Sequence, residues 1–448
     1  MTPSPPWFVH TFLRLWAVAH IIHLCIATNH HLDAPWNIVT VVAAFAVVAR
    51  PGDLRLLVVM AVAQLVDLVA EMPVAPDHWI LLGLGNLALL VSLAVQRELS
   101  LPALERGLPA VRAITLVTYT AAAVAKQNST FIDPAASCAR AIARTASYGL
   151  SDHASTNWIW VVSVLLTEAS IPVLLLVPRT RRHGVRVALA FHFVLSASPA
   201  FGVVDFTAAL YAVFFLFLPT DDARAMLDLI ARATSRSAIA RDVRQHPVVA
   251  SCILLAVLGF SGYVAPSIGT GATYVLAELF LLGILLAALL TWRRSPGVPR
   301  AFGRVPLATL PVLLLAALWV ISPYLGSRTT GVFTMFSSLR TEAGVANHLW
   351  LPHTHLTSWQ EDLVTLDSSN DATLDRAADR DLAVPLLQLR IMAADDPELV
   401  VTGRLDGRTV TFGPGADQRH LDPPSLWERS FLWFRPVPVG DRPFCSVS

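Results

Sequence analysis

A predominantly apolar run of twenty residues decides the fold class of this chain: residues 272–291 read ATYVLAELFLLGILLAALLT. The run contains one charged side chain, Glu278, and has the length that an α-helix needs to cross a hydrocarbon core of about 30 Å. Similar runs recur, so that 54% of the 448 residues are hydrophobic, 15% are charged and the mean hydropathy is +0.57. This composition excludes an ordinary soluble globular protein and predicts an all-α polytopic membrane bundle.

Hydropathy in windows of about 20 residues predicts eleven membrane spans. They place a transmembrane helical domain at residues 1–322. The spans cover residues 7–28, 35–49, 54–71, 78–95, 108–126, 156–178, 183–198, 203–218, 247–265, 272–291 and 305–322.

The distribution of arginine orients this predicted bundle. Alternate connections between spans hold eighteen arginines, whereas the intervening connections hold only Arg140 and Arg144. Because cytoplasmic loops are the arginine-rich ones, we expect the N-terminus inside and residues 323–448 outside the cell membrane. The chain is therefore predicted to be a multi-pass cell-membrane protein with an extracytoplasmic C-terminal domain.

The predicted outer domain, residues 323–448, combines a signature loop with a small α+β module. Residues 399–412 are predicted to form a hairpin that turns at Asp406-Gly407. Cys138 and Cys445 both fall on the predicted outer side, but their separation in sequence gives no geometry, and whether they form a disulfide is left open. The four cysteines show no zinc-binding spacing, so no metal is expected, and a net charge of +1 gives no indication of nucleic-acid binding.

The chain has a single lysine, Lys126, which follows the apolar residues 121–125. Lysine, unlike arginine, gives up its proton readily once it is removed from water, and it can then serve as a base. An arginine-rich chain could also retain one lysine by chance. The predicted position at the outer end of the fifth span favours a functional role, because ionisable groups in membranes are costly.

Other polar side chains fall at a similar predicted depth. Glu168 lies mid-membrane, His192 lies in the seventh span, and Asp205 opens the eighth. Few of them can face lipid without a cost of about 2.5 to 3.5 kcal/mol each, so we expect them to face a polar cavity that opens outward. Gln64, Asp67 and Glu71 share one helix face, as do His20 and His23.

More than one interpretation stays open for the histidine pair and for the carboxylates of the third span. The histidines at positions 20 and 23 suit packed or interfacial residues, quinol binding, a proton relay, or a haem or metal site. Asp67 and Glu71 suit either solvated carboxylates at a helix end or charge partners within the bundle.

Two stretches resemble a known family. The first is AKQNSTFIDPAASC at residues 125–138, followed by Thr167-Glu168, Phe191-His192 and FFLFL at 214–218. The second runs from PYLG at 323–326 through FTMFS at 333–337 and LRTE at 339–342 to Asn347-His348. Together they resemble the bacterial horizontally transferred transmembrane domain (HTTM) proteins, which are relatives of vitamin K-dependent gamma-carboxylase. The resemblance covers about residues 7–350, with an HTTM-like core at about 7–218.

The resemblance implies an enzyme that uses a lipid-soluble, vitamin K-type quinol. Lys126 would be the general base that deprotonates the quinol, while Glu168 and His192 would polarise or orient the bound ring. Further cofactor-binding residues expected on this basis are Asn128, His20, His23, Asp67, Asn347 and His348. The partners implied are the lipid bilayer, the quinol and a substrate that the sequence does not identify.

Two other classes of function stay open at this point. A transporter or an ion or proton relay protein could use the same buried charges. In a non-catalytic membrane scaffold, Lys126 would pair structurally with a carboxylate.

Overall fold

The computed structural model describes most of the chain. Its α-carbon contacts divide the chain into two compact units. The first unit comprises Met1–Ala70, Asp77–Thr120 and Leu166–Ala316, and the second comprises Glu71–Pro76, Ala121–Leu165 and Ala317–Ser448. The predicted span at 247–265 lies outside the described residues. The described residues are 4–26, 34–146, 157–198, 203–235, 266–291, 302–342, 345–351, 354, 356–414, 423–440, 442, 443 and 445.

Helices dominate the part of the chain that the structure describes. In chain order they are α1 Pro6–Ile26, α2 Pro35–Ala49, α3 Leu54–Ala70, α4 Asp77–Gln96, α5 Leu101–Ala125, α6 Ser129–Ile132, α7 Cys138–Ala146, α8 Asn157–Leu176, α9 Arg181–Ser196, α10 Val204–Phe215, α11 Thr220–Thr234, α12 Pro266–Leu290, α13 Leu310–Ile321, α14 Ala372–Ala378, α15 Leu386–Asp395 and α16 Leu426–Phe431.

Five of the described helices are long and apolar enough to cross a membrane. Three shorter apolar helices accompany them, at Pro35–Ala49, Val204–Phe215 and Leu307–Ile321. These helices support the predicted membrane class, while the count of eleven spans and the orientation stay predictions. The five long segments are Pro6–Ile26, Asp77–Gln96, Leu101–Ala125, Trp158–Leu176 and Gly271–Leu290.

Apolar side chains cover the outer surface of the long helix α8. Trp158, Ile159, Leu166 and Val173 are each more than half exposed. A soluble protein rarely presents a continuous apolar face of this kind, whereas a helix in contact with lipid does so by default.

Within the first unit, α1 packs against α2 and α10, while α3 packs against α2 and α4. Between α1 and α4, Gly85 leaves room for the ring of Trp16 because it has no side chain. A Cβ atom built on Gly85 would lie 2.6 Å from the ring of Trp16, which is fully buried. Small residues at such crossings let membrane helices pack closely, and this contact sets the position of the α4 face that carries the polar groups described below.

The second unit contains an antiparallel sheet of five strands: β1 Leu363–Ser369, β2 Leu382–Pro385, β3 Val401–Leu405, β4 Arg408–Phe412 and β5 Val437–Pro438. Their order in the sheet is β4-β3-β1-β2-β5. Buried residues of the sheet, including Val364, Val401 and Phe412, pack with Leu374 of α14 and Leu389 of α15. The predicted small module with strands and helices is confirmed.

The hairpin formed by β3 and β4 turns where the sequence predicts. Val401 pairs with Phe412, and Leu405 pairs with Arg408. The two residues of the turn, Asp406 and Gly407, both have positive φ angles, 49° and 75°. That conformation suits an Asp-Gly turn and matches the twist of the two strands.

A disulfide joins Cys138 at the start of α7 to Cys445, across 307 positions of sequence. The bridge is buried in a small apolar cluster with Phe131 and Val161. The pairing that the sequence leaves open is therefore present, and it ties the end of the described chain to the segment that follows Lys126.

Candidate functional site

Lys126 directly follows the last residue of α5, and only 4% of the residue is exposed. Its Nζ donates a hydrogen bond of 3.1 Å to the carbonyl oxygen of Met335. The predicted signature loop, residues 323–350, thus reaches the lysine within the second unit. A buried amine beside a carbonyl oxygen is held in one position, which a general base requires.

The backbone that follows Lys126 pairs with the end of the signature loop. Ser129 N–H donates to the carbonyl of Asn347 at 2.9 Å, and Leu349 N–H donates to the carbonyl of Gln127 at 3.0 Å. Asn128 and His348 form an antiparallel bridge between these two bonds. The segment after Lys126 and the signature loop therefore form a short two-stranded pairing.

Asn128 is fully buried and holds this pairing in register. Its Oδ1 caps α6 by accepting from Phe131 N–H at 2.8 Å, and its Nδ2 donates to the carbonyls of Ala125 and Ser337 at 2.8 and 2.6 Å. Every hydrogen-bonding atom of the side chain has a protein partner. The geometry suits a residue that positions the segment directly after Lys126.

Asn347 extends the same network from the opposite side. Its Nδ2 lies 2.9 Å from Thr130 Oγ1 and 2.8 Å from the carbonyl of Ser338, and its Oδ1 accepts from Arg340 N–H at 2.8 Å. Asn128 and Asn347, predicted as cofactor-binding residues, are thus brought together with their side-chain atoms engaged in the protein. Their role toward a cofactor stays a prediction.

His348 lies beside the end of α5. Its Nε2 is 3.0 Å from the carbonyl of Val124, and its Nδ1 accepts from Leu351 N–H at 2.9 Å. Burial lowers the pKa of His348 from its ordinary value of 6.5, and the bond to the Val124 carbonyl offsets only part of that decrease. The ring edge faces Tyr324 at 5.5 Å, and burial raises the pKa of Tyr324 to about 12. Both groups are therefore uncharged at neutral pH.

A pocket of about 320 Å³ lies beside this network in the second unit. Three arginines and one carboxylate contribute charge to its wall, so the pocket is electropositive and suits an anionic group. One of them, Arg435, also pairs with the buried Glu342 at 3.0 Å. The charged and hydroxyl side chains of the wall are Arg340, Arg435, Arg442, Asp133, Ser129, Thr130 and Ser338.

In the first unit, Asp67 is 1% exposed and accepts hydrogen bonds from two indole rings. Trp36 Nε1 lies 2.8 Å from Oδ1, and Trp79 Nε1 lies 2.8 Å from Oδ2. The carbonyl of Trp79 in turn accepts from Gln64 Nε2 at 3.1 Å. Neutral donors therefore stabilise this buried carboxylate, in addition to any charge partner.

His20 belongs to the same polar layer. Its Nδ1 lies 2.7 Å from the carbonyl of Trp16, and its Nε2 lies 3.0 Å from Asn86 Nδ2. Asn86 also donates to Gln64 Oε1 at 3.1 Å and accepts from Trp16 Nε1 at 2.7 Å. His20 and Asp67, both predicted to bind a cofactor, are thus connected through amides and indoles that cross the bundle.

His23 stacks on Trp79 of that layer and belongs to a second cluster, with Asp205, which the sequence placed at the same polar cavity, and with His78, which the sequence prediction did not include. His78 Nε2 is 2.7 Å from His23 Nδ1 and 2.8 Å from Asp205 Oδ2, and His23 Nδ1 is 3.1 Å from the same oxygen. All three residues are more than nine-tenths buried. They come from the end of α1 and the starts of α4 and α10.

His192 on α9 and Glu168 on α8, predicted to act with Lys126, both lie in the first unit and are buried. His192 Nε2 is 2.9 Å from the hydroxyl of Tyr119, and its backbone carbonyl accepts from Thr207 Oγ1 at 3.2 Å. Tyr119 is a partner that the sequence prediction did not include. The catalytic roles of His192 and Glu168 stay predictions.

The chain matches no protein-family profile, no curated protein and no solved structure. The resemblance to HTTM proteins therefore stays a prediction that depends on the quoted residues.

Proposed function

We propose that this chain is a quinol-dependent membrane enzyme of the vitamin K-dependent gamma-carboxylase-like type, with Lys126 as its general base. The observation that carries the proposal is the burial of the only lysine, whose Nζ is directed at the carbonyl of Met335. The same position filled by arginine would keep the charge and lose the chemistry, because a guanidinium is not deprotonated in proteins.

The surroundings of Lys126 fix the position of its amine. The residue is buried, and Nζ donates a hydrogen bond to the carbonyl of Met335. The loop that supplies this carbonyl is fixed by Asn128 and Asn347. The amine is therefore held at one place beside this loop.

A vitamin K-type quinol fits the residues beside the lysine. A bound quinol supplies an acidic hydroxyl group on an apolar ring. Ala121, Ala122 and Val124, at the end of α5, are apolar and partly exposed, and they can contact such a ring. Lys126 would accept the hydroxyl proton on Nζ.

The finer membrane topology belongs to the same proposal: eleven spans, an inner N-terminus and an outer C-terminal domain. The Cys138–Cys445 disulfide supports an outer location for the second unit, because disulfides persist in oxidising compartments and are rare in the cytosol. The electropositive pocket supports an anionic acceptor, such as a carboxylate, as the substrate class.

The test compares wild-type protein with Lys126→Arg in lipid nanodiscs. Vitamin K hydroquinone and dioxygen are supplied, and the consumption of both is measured. We expect turnover in the wild type and a loss of roughly 10² to 10⁴-fold in Lys126→Arg, the usual contribution of a general base. Arg144→Lys, which changes an exposed arginine of α7, is the matched control and should leave turnover unchanged.

Three outcomes would contradict the proposal. If the wild type consumes no quinol while vesicles containing it show ion or proton flux, the relay class is favoured. If Lys126→Arg retains full turnover, the chain is an enzyme but Lys126 is not its general base. If neither turnover nor flux is found and both proteins are equally stable, the chain is a scaffold in which Lys126 is a structural residue.

A further inference from the structure

We infer that His23, His78 and Asp205 bind a divalent first-row transition-metal ion within the first unit. The site depends on three buried side chains from three different helices, and on neither Lys126 nor a quinol. It therefore goes beyond the proposed function and stands or fails independently of it.

The geometry of the three ligand atoms carries the inference. His23 Nδ1, His78 Nε2 and Asp205 Oδ2 form a triangle with sides of 2.7, 2.8 and 3.1 Å. An ion about 1.3 Å above the plane of this triangle would lie about 2.1 Å from each atom, the usual length of metal bonds to imidazole and carboxylate. Neighbouring ligands at right angles around such an ion are about 3.0 Å apart, so the triangle corresponds to one face of an octahedron.

Hydrogen bonding explains this triangle less well than a metal ion does. If both ring nitrogens carry protons and donate to Asp205, two N–H donors approach each other at 2.7 Å. If one nitrogen instead donates its proton to the other, the accepting nitrogen carries no proton itself. Its lone pair then faces the lone pairs of the carboxylate oxygen, and the two repel each other. One cation above the triangle accepts the lone pairs of all three atoms at once.

The ligand types restrict the ion. Two neutral imidazole nitrogens and one carboxylate oxygen suit zinc(II), iron(II) and their first-row neighbours, whereas calcium and magnesium prefer oxygen ligands alone. The described residues supply three ligands to the site, which leaves positions for water or another small molecule. That is the ligand count typical of catalytic metal centres.

Neighbouring groups hold the ligands in place. The second oxygen of Asp205, Oδ1, accepts from the backbone N–H of Phe206 at 2.7 Å, which directs Oδ2 toward the histidines. Trp79 stacks on His23 with ring centroids 4.1 Å apart, and the Trp79 indole is itself held by Asp67. Outer contacts of this kind orient metal ligands and raise affinity.

The test begins with wild-type protein purified in detergent through a tag that contains no histidine. Elemental analysis measures the metal that stays bound, and absorption and electron paramagnetic resonance separate iron from zinc. The protein is then stripped with a chelator and titrated with cobalt(II), whose ligand-field absorption reports nitrogen and oxygen ligation. We expect a stoichiometric bound metal and a saturable cobalt spectrum.

Loss of any one ligand should weaken cobalt binding by roughly 100-fold or more, which exceeds the 10 to 100-fold typical when a group that only orients a ligand is replaced. The three ligand variants are His23→Gln, His78→Gln and Asp205→Asn. His183→Gln, which changes a half-buried histidine of α9 outside the cluster, is the matched control and should bind as the wild type does. If a variant fails to fold, the wild-type titration decides. Absence of both retained metal and saturable cobalt binding in the wild type, or equal binding by the folded variants, would overturn the inference.

Discussion

Replacing Asp67 with asparagine tests the physical account of the polar layer in the first unit. The carboxylate accepts one hydrogen bond from Trp36 and one from Trp79, each at 2.8 Å. An asparagine of the same shape has one oxygen and one NH₂ group. One indole keeps its acceptor, while the other faces a second donor.

The size of the effect follows from these two bonds. A hydrogen bond to a charged group contributes about 1.5–3 kcal/mol in soluble proteins, but bonds between membrane helices average about 0.6 and reach about 1.7 kcal/mol. We expect Asp67→Asn to lower the free energy of unfolding by about 2 kcal/mol, since one bond is lost and a donor is left facing a donor. In a Trp36→Phe background that conflict is absent, so about 1 kcal/mol of the loss should disappear.

The assay is a double-mutant cycle in mixed micelles. Unfolding is induced with a denaturing detergent and followed by far-ultraviolet circular dichroism, which does not depend on the tryptophans being replaced. Trp7→Phe provides the control partner, because Trp7 lies about 24 Å along α1 from His23, the residue on which Trp79 stacks. Asp67→Asn and Trp7→Phe should be additive to within about 0.5 kcal/mol.

A coupling free energy for Asp67 and Trp36 no larger than the one measured for Asp67 and Trp7 would refute the reasoning. Asp67 would then be stabilised by something other than the indole donors.

Three further outcomes are expected. Tyr119→Phe should lower the free energy of unfolding by about 0.5–1.5 kcal/mol in the same micelle assay, because the 2.9 Å bond to His192 is lost. An unchanged free energy of unfolding would show that this bond is not made in the membrane-extracted protein. Cys138→Ser should abolish the mobility shift that reduction causes on a denaturing gel and lower stability by about 2–5 kcal/mol, whereas the same shift persisting would exclude the bond to Cys445. Burial depresses the pKa of His348 below 6.5, so the unfolded chain binds a proton at this histidine before the folded chain does as the pH falls. The free energy of unfolding should therefore decrease with falling pH below about 6.5. His348→Gln should make that decrease shallower, and an unchanged slope would contradict the lowered pKa of His348.

The sequence predicts those parts of the fold that depend on local patterns. Uniform apolar runs identify α1, α4, α5 and α12, because the length and composition of a membrane helix are properties of one segment. The β3–β4 hairpin was predictable for a similar reason, since the Asp406-Gly407 pair alone supplies the two positive φ angles.

The parts that the sequence missed depend on contacts between distant segments. His78 stands at the start of α4 and shares no motif with His23 or Asp205, and only packing brings it against them. The pairing of Asn128 with Asn347 likewise has no local signal. The insertion cost of a polar group in a membrane is visible in sequence, but the group that compensates for it is not.

Asp67 illustrates this difference. The sequence leaves open whether Asp67 is a solvated carboxylate at a helix end or a charge partner within the bundle. The described contacts include two neutral tryptophan donors, which any hydropathy pattern counts only as apolar or interfacial residues. The 1% exposure of Asp67 agrees with the second alternative, but the donors that compensate for its burial were not predictable.

The pairing of residues 127–129 with 347–349 has a consequence for biosynthesis. A ribosome that has released the chain only as far as Ile321 has already delivered Lys126 to the translocon, but the carbonyl of Met335 and the strand around His348 do not yet exist. The segment after Lys126 can pair in this way only after some 220 further residues have been added, so chains arrested earlier in translation should lack this pairing.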